Sequence, residues 1–261
     1  MSARLHIDHA LIPGAELPLP ANASRHAQVL RLQPGAPLTL FDGLGGEWSA
    51  EVLAIGRKTV TARLLVHHPV ERELAAPVTL AIGMPANERM DWLVEKATEL
   101  GVAAVQPLVC ERSVLRLAGE RAERKAAHWQ AIAVAACEQS GRNRVPRIAA
   151  PLALRDWLAA LQDGGPSIAP ATGQAPAAAG ACRLVLSLAP GARGVLATLA
   201  GHPPGAPVTV LSGPEGGLSP AELAAAEAAG FAPVTLGARV LRADTAPLAM
   251  LATLAALETT V

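Results

Sequence analysis

Cysteine is scarce in this sequence, and tyrosine is absent from it. The three cysteines, Cys110, Cys137 and Cys182, lie far apart and form no CxxC pair, so they indicate neither a disulfide framework nor a zinc motif. Isolated cysteines of this kind are typical of a reducing compartment. The abundance of Ala, Gly and Pro reflects a compositional bias and says little about chemistry.

Metal-binding patterns are also missing from the sequence. The seven histidines form no HExxH motif and no cluster with cysteine. The adjacent pair His67 and His68 would point to opposite faces of a strand, where the two rings cannot share a ligand. We therefore predict that the protein binds no metal.

No apolar run is long enough to cross a membrane. The long uncharged stretch at residues 164–182 is interrupted by Pro and Gly. The opening residues, MSARLHIDHA, are more polar than a signal peptide. We expect a soluble cytoplasmic protein, in which 261 residues, 51% of them hydrophobic, form two modest domains or one large one.

The chain has no net charge, with 22 Lys and Arg against 22 Asp and Glu. This balance argues against a nucleic-acid enzyme, because phosphate neutralisation supplies much of the affinity of such proteins. The charge is locally uneven, however. Residues 111–147 carry eight Lys and Arg against four Glu, whereas the first 74 residues balance at seven against seven. A nucleic-acid surface is therefore still possible in the basic segment.

The first 70 residues are mostly β in pattern. The predicted strands are residues 4–7, 37–41, 47–55 and 58–66. The dipeptide Asp42-Gly43 predicts a turn, and residues 26–32 predict a short helix that closes one end. Several short strands with tight turns favour a small β-barrel.

Strands and helices alternate from residue 77 onward. The predicted strands are residues 77–83, 102–109, 184–188, 208–211 and 234–236. The predicted helices are residues 88–100, 119–139, 154–161 and 248–257, with another that begins at the capping box Ser219 to Glu222 and ends at Gly230. This alternation predicts a parallel sheet with helices on both faces, whose ligands bind beyond the carboxyl ends of the strands. Residues 163–181 are low in complexity and predict a flexible surface loop.

Three loops follow the last three predicted strands and should open on one edge of the sheet. They read SLAPG at residues 187–191, SGPEGG at 212–217 and LGARVLRADT at 236–245. The glycines alone could form a tight strand-to-helix turn. They are no P-loop, because no Lys-Ser or Lys-Thr follows them, and GxGxxG is absent. Glu215 would repel a phosphate, so a ligand with hydroxyls, an amino group and a sulfonium fits better.

The combination of motifs is more specific than any one of them. LSGPEGGLS at residues 211–219 followed by LGARVLRADTA at 236–246 resembles the cofactor site of the SPOUT methyltransferases, and most closely the family that methylates N3 of a uridine in 16S ribosomal RNA. Six further segments resemble the same family. They are MDWLVEKATELG at 90–101, ERSVL at 111–115, HWQ at 128–130, ACEQSGRNRVP at 136–146, HAQVLRLQPG at 26–35 and LFDG at 40–43. Asp244 departs from the pattern, since the family usually has Glu there.

The resemblance implies an α/β fold in which a trefoil-knotted SPOUT methyltransferase domain with a parallel sheet, at residues 76–261, follows a small PUA-like β-barrel that binds RNA, at residues 1–72. A trefoil knot is a rare exception to the rule that chains do not thread loops. The resemblance also implies a homodimer, the cofactor S-adenosylmethionine and 16S rRNA in the small ribosomal subunit as partner. The expected activity belongs to rRNA processing during ribosome biogenesis.

The cofactor would be held mainly by backbone groups and apolar packing. The residues that the resemblance assigns to it are Leu188, Leu211, Gly213, Glu215, Gly216, Gly217, Leu236, Gly237, Val240 and Leu241. The leucines could equally be ordinary core residues. Glu215 could bind a ribose hydroxyl or the methionyl amino group, or it could be a carboxylate stabilised by a helix N-terminus.

Methylation of uridine N3 requires that the imide proton leave while negative charge develops on the ring. A positioned cation would stabilise that charge, and a base could accept the proton. Arg239 and Arg242 lie in the third loop, and we predict that one of them is the catalytic charge stabiliser. The alternative is an ion pair with Glu215 or Asp244.

RNA-facing residues are expected in the basic segment and in the N-terminal domain. They are Arg4, Arg25, His26, Arg31, Arg112, Arg116, Gln139, Arg142 and Arg144. For Arg4, Arg25, His26 and Arg31, each taken singly, an ordinary surface residue is the better interpretation. For Arg121, Arg124 and Lys125 a solvated charge run is the better interpretation.

Two other classes of function remain open from the sequence. One is another SPOUT enzyme that acts on tRNA or on a ribose 2′-hydroxyl. The other is a non-catalytic RNA-binding or ribosome-assembly protein, since fold alone does not give function. Binding of S-adenosylmethionine would separate the enzymes from an assembly factor. The sequence leaves open which uridine is methylated, and whether naked rRNA or the assembled subunit is the substrate.

Overall fold

A computed structural model describes residues 2–86, 88–162 and 181–258. The chain divides into two compact units. The first contains Met1–Glu73 and Val134–Val145, and the second contains Leu74–Ala133 and Pro146–Val261. The predicted loop at residues 163–181 lies outside the described residues, apart from Ala181.

The first unit is built on a five-stranded sheet. Its elements are β1 (Ala3–His6), β2 (Glu16–Pro18), α1 (Ala21–Val29), β3 (Pro37–Phe41), β4 (Glu47–Ile55) and β5 (Val60–His68). The strand order is β1-β3-β4-β5-β2. β1 pairs with β3 in parallel, and the other neighbours pair antiparallel. Inward-facing apolar residues such as Leu5, Leu40 and Val52 form one buried core.

The second unit contains the remaining elements. They are β6 (Val78–Gly83), α2 (Glu88–Glu99), β7 (Ala104–Val109), α3 (Gly119–Ser140, whose last residues, 134–140, are grouped with the first unit), β8 (Arg147–Ile148), β9 (Leu152–Ala153), α4 (Leu154–Gln162), β10 (Cys182–Leu186), β11 (Arg193–Gly194), α5 (Val195–Leu199), β12 (Val208–Ser212), α6 (Pro220–Ala228), β13 (Ala232–Thr235) and α7 (Thr245–Glu258).

The strands of the second unit form one parallel sheet, which confirms the prediction from alternating strands and helices. The order is β11-β13-β10-β12-β6-β7-β8, and β9 also pairs with β7. Every residue of β6 and of β12 is buried, because helices cover both faces of a parallel sheet. The sheet therefore places the carboxyl ends of β13, β10, β12 and β6 side by side.

The start of α6 is fixed by the predicted capping box. The Ser219 hydroxyl accepts the Glu222 backbone N–H at 3.3 Å, and the Glu222 carboxylate accepts the Ser219 N–H at 2.9 Å. Pro220 follows at the first helical position, where no N–H is needed. This cap fixes the point at which the loop after β12 becomes a helix.

Apart from shifts of up to three residues at the ends of elements, two features of the fold differ from the sequence prediction. The first helix was predicted at residues 26–32, but α1 begins at Ala21, because the Pro20 carbonyl already accepts the Ser24 N–H at 2.7 Å. The elements β2, β8, β9 and β11 were not predicted. They span two or three residues, which is too short for a periodicity to show.

We predict that Gly83→Ala destabilises the second unit by about 1–3 kcal/mol, because overpacking strains a close-packed site. A Cβ at Gly83 would lie 2.6 Å from the backbone nitrogen of Pro214, so the loop after β12 would have to move. Chemical denaturation measures the loss. Gly201→Ala is the matched control, since its Cβ would meet nothing within 4 Å. Equal stability of the two variants would contradict the prediction.

Candidate active site

A cavity of about 600 Å³ opens at the carboxyl ends of β10, β12 and β13. Its wall is formed by the three loops that follow these strands, which the structure thus brings together. The lining residues of the loops are Leu186–Ala189, Ser212–Glu215, Gly217, Leu218, Leu223, Val234–Gly237, Arg239–Ala243 and Ala246. A cavity of this volume is in the range of small-molecule and cofactor sites.

Most residues predicted to bind the cofactor line this cavity. They are Leu188, Gly213, Glu215, Gly217, Leu236, Gly237, Val240 and Leu241. The two others are not among the lining residues. Leu211 is fully buried in β12 as part of the core, and Gly216 faces Arg112.

Two apolar side chains of the cavity are exposed to solvent. Leu188 is 59% exposed and Val240 is 82% exposed, so neither belongs to the core. Large apolar side chains gathered at a concave surface are typical of a binding site for an apolar ring. No other described part of the chain covers these two side chains, so a ligand in the cavity can pack against them.

Arg239 and Arg242, the predicted catalytic residues, both line the cavity and are exposed. Among the described residues, neither of them forms an ion pair. The Arg242 carbonyl accepts the N–H groups of Thr245 and Ala246, both at 3.0 Å, and so begins α7. The backbone of this loop is fixed at its end, while the two guanidinium groups face the cavity.

Glu215 is held by a segment that precedes α2. Its Oε1 atom accepts the Ala86 backbone N–H at 2.9 Å and lies 3.8 Å from a guanidinium nitrogen of Arg89. Arg89 lines the same cavity and was not predicted. No local sequence signal indicates Arg89, because it reaches the cavity only through the position of β6 beside β12 in the sheet.

Arg112 and Arg116, which were predicted to face RNA, bond to nearby loop backbone. Arg112 donates to the Gly216 carbonyl at 3.0 Å, and Arg116 donates to the Glu111 carbonyl at 3.0 Å. The Glu111 N–H in turn donates to the Glu222 carboxylate at 2.7 Å. Arg112 therefore supports the glycine loop from behind the cavity.

In the first unit, the segment 139–144 is tied down by ion pairs. Arg142 is only 3% exposed and its guanidinium binds the Glu73 carboxylate. Arg144 binds the Glu71 carboxylate and the Leu44 carbonyl. Gln139, in contrast, is exposed.

Glu47 is the centre of a second set of ion pairs in the first unit. Its carboxylate accepts from Arg4 at 2.7 Å and from Arg72 at 3.0 Å, while Arg4 also donates to Asn143 at 2.8 Å. Burial by itself would raise the pKa of Glu47, but hydrogen bonds from Arg72, Arg4 and Asn143 outweigh it and lower the pKa to about 2. The Arg4 guanidinium is thus held by both Glu47 and Asn143.

The other predicted RNA contacts of the first unit lie on α1 or just after it. Arg25 and Arg31 are exposed, and the His26 ring lies 3.4 Å from the Glu138 carboxylate. Arg31 has a φ of 53°, since it is the residue that reverses the chain after the helix. This left-handed backbone conformation of Arg31 determines the direction in which its side chain leaves the helix end.

The donor set of the cavity suits a nucleoside-sized cofactor with an amino-acid group. Gly213 and Gly217 leave the backbone accessible, and Arg89 and Glu215 supply charges of both signs beside apolar side chains. Within the described ranges no group of three or more His, Cys, Asp or Glu could hold a metal ion. No helix in those ranges is long and apolar enough to span a membrane.

Comparisons with known proteins identify the family. A model of the RNA methyltransferase domain matches residues 72–255, and a model of the RNA methyltransferase PUA domain matches residues 19–65. Ribosomal RNA small subunit methyltransferase E of Synechocystis is 38% identical over 232 residues, which cover 88% of this chain and 69% of that protein. The chain belongs to the ribosomal RNA small subunit methyltransferase E family.

Another relative and a solved structure agree with this assignment. The Bacillus subtilis methyltransferase E is 30% identical and is covered over 81% of its length by 84% of this chain. The Neisseria gonorrhoeae methyltransferase E, solved bound to S-adenosyl methionine, has a TM-score of 0.84 at 32% identity, with 98% of each chain covered. The resemblance drawn from the sequence is confirmed, and so is the predicted α/β class with a PUA-like N-terminal domain.

We predict that Glu47→Gln lowers the stability of the protein by about 1.5–3 kcal/mol at pH 7, the usual contribution of a hydrogen bond to a charged group. The folded-state pKa of about 2 lies below the ordinary 4.5. The stabilisation is therefore complete above about pH 4.5 and is lost as the pH falls towards 2.

Denaturation of both proteins at several pH values tests this expectation. The difference between wild type and Glu47→Gln should narrow below pH 4.5. Glu51→Gln, on the same strand but outside the ion pairs of the described residues, is the control. A difference that stays constant down to pH 3 would show that the charge of Glu47 contributes nothing.

Proposed function

We propose that the protein methylates N3 of a uridine in 16S ribosomal RNA of the small ribosomal subunit, with S-adenosylmethionine as methyl donor. The observation that carries the proposal is the cavity in which the three predicted loops meet. The name of the Synechocystis relative and the cofactor bound to the Neisseria relative support it. A homodimer, a trefoil knot and a cytoplasmic location, which the resemblance implies, belong to the same proposal.

The cavity residues divide by chemistry. Leu188, Leu236 and Val240 offer apolar surface to the adenine, and the backbone of Gly213 and Gly217 can approach the ligand closely. When bound, S-adenosylmethionine supplies an electrophilic methyl group on its sulfonium. The chain has to orient that group towards the RNA and exclude water from it.

Arg239 and Arg242 are assigned to the uracil ring. As the imide proton leaves N3, negative charge spreads onto the neighbouring carbonyl oxygens. A guanidinium at the cavity stabilises this charge, and it does so most effectively where it is not already neutralised. Neither arginine has an ion-pair partner among the described residues, which supports this role.

The residues predicted to face RNA fall into two groups in our proposal. Exposed Arg25, Arg31 and Gln139 contact the RNA directly, together with His26 at the end of α1. Arg142 and Arg144 instead hold the segment 139–144 in place through their carboxylate partners, and Arg4 does so by donating to the Arg142 carbonyl and to Asn143. Arg112 and Arg116 support the loops beside the cavity and present their remaining donors to RNA.

A methyl-transfer assay tests the proposal. Purified protein is mixed with labelled S-adenosylmethionine and small subunits that lack the modification, with tRNA and large subunits in parallel. Nucleoside digestion should give labelled 3-methyluridine from the small subunit alone. Label in tRNA or on a ribose would move the activity to another SPOUT family, and absence of both label and cofactor binding would leave an RNA-binding protein.

We predict that Arg239→Ala or Arg242→Ala lowers kcat by about 10²–10³-fold, the usual effect of removing one group that stabilises developing charge. Binding of S-adenosylmethionine should be nearly unchanged, because the lost charge acts on the RNA base. Single-turnover methylation and calorimetry measure the two effects. Arg155→Ala is the control, since that side chain is 91% exposed on α4 and does not line the cavity. Full activity of both loop variants would refute the assignment.

A further inference from the structure

Arg89 is the one described residue of the cavity wall that does not come from the region after β10. It is the second residue of α2, whereas every other lining residue lies between Leu186 and Ala246. Its side chain is 42% exposed, so it can meet a ligand. The family resemblance assigned it no role.

The order of the strands gives the cavity two ends. The neighbours β13, β10, β12 and β6 lie in that order in the sheet. The loops after β13 and β10 carry the exposed apolar residues Leu188 and Val240. The loop after β12 carries Glu215, and Arg89 lies in the first turn of α2, the helix that follows β6. One end of the cavity therefore suits an aromatic ring, and the other carries one negative and one positive side chain.

Glu215 is already fixed in place, whereas the Arg89 guanidinium forms no hydrogen bond to a described residue. The Oε1 atom of Glu215 is occupied by the Ala86 N–H, while its Oε2 atom has no hydrogen-bond partner among the described residues. The Arg89 guanidinium lies 3.8 Å from Glu215, which is too long for a hydrogen bond. Its fork of N–H groups is thus available for a carboxylate, which it can bind with two parallel bonds.

We propose that Arg89 receives the carboxylate of the methionyl group of the cofactor, while Glu215 receives its ammonium. This inference rests on the proposed function, because it presupposes S-adenosylmethionine in the cavity. The two side chains together match a zwitterion, with the charges of the protein and of the amino acid paired in opposite order. Arg89 is therefore a specificity-determining residue that separates the cofactor from adenosine compounds that lack the amino acid.

Calorimetry with two probes tests the proposal without any RNA. S-adenosylhomocysteine has the amino-acid group, and 5′-methylthioadenosine has the same nucleoside without it. In Arg89→Ala the affinity for S-adenosylhomocysteine should fall roughly tenfold to a hundredfold, as for a lost charge-assisted hydrogen bond. The affinity for 5′-methylthioadenosine should stay within about threefold, since it has no carboxylate to lose.

Further variants guard against an indirect effect. Arg89→Lys keeps the charge but not the fork, so it should recover part of the lost affinity. Glu215→Gln should show the same selective loss, because it removes the partner of the ammonium. Arg155→Ala should change the affinity for neither probe, and thermal unfolding shows whether each variant is folded.

Every other outcome contradicts either the proposed role of Arg89 or the proposed function on which that role rests. An equal loss of both probes in Arg89→Ala would mean that Arg89 only supports the loop after β12. An unchanged affinity for both would place the carboxylate elsewhere. Wild-type protein that binds neither probe would contradict the proposed function itself, and this result differs from either failure of Arg89.

Discussion

Parallel pairing of β6, β12, β10 and β13 brings the chemical groups of the candidate active site to one edge of a sheet. Each strand contributes a loop at its carboxyl end, and neighbouring strands in such a sheet are separated by less than 5 Å. Groups that are more than a hundred residues apart in the sequence, such as Arg89 and Arg239, therefore line the same cavity. The close approach of Gly83 to Pro214 holds the end of β6 against the glycine loop, so the backbone distances at this edge leave little room for adjustment.

The arginines of the protein fall into two electrostatic states. Arg4, Arg142 and Arg144 are neutralised by carboxylates of the first unit, and their donors also bind backbone carbonyls or an amide. Breaking the pair of Arg142 and Glu73 is costly, because Arg142 is buried and its charge would be left without this partner. Arg239 and Arg242 have no such partners among the described residues, so their charge is available to a ligand. Arginine thus stabilises the structure of the first unit, and in our proposal arginine takes part in the reaction in the second unit.

Much of this arrangement could be read from the sequence where a local signal exists. β3 and β4 have the predicted bounds, and the capping box at Ser219 forms as expected. The three glycine-containing loops were found because each follows a run of apolar residues.

What the sequence does not specify locally could not be predicted. The order of the strands places β6 beside β12, and only this neighbourhood brings Arg89 to the cavity. Likewise, a pattern of charges does not say which arginine is buried, so the inward position of Arg142 depends on Glu73, a residue far away in the sequence. Long-range pairing, and not local propensity, decides both.

The internal ion pairs of the first unit also determine how RNA affinity should respond to ionic strength. A cation that is already matched by a carboxylate displaces few counterions from an incoming phosphate, so it adds little to the slope of log K against log salt concentration, which is about 0.7 per neutralised phosphate of a single strand. Arg4, Arg142 and Arg144 should therefore contribute little to a salt titration. In our proposal most of the slope of this unit comes from Arg25 and Arg31, which have no ion-pair partner among the described residues. Most of the RNA affinity of a chain with zero net charge would then come from shape and from contacts with unstacked bases.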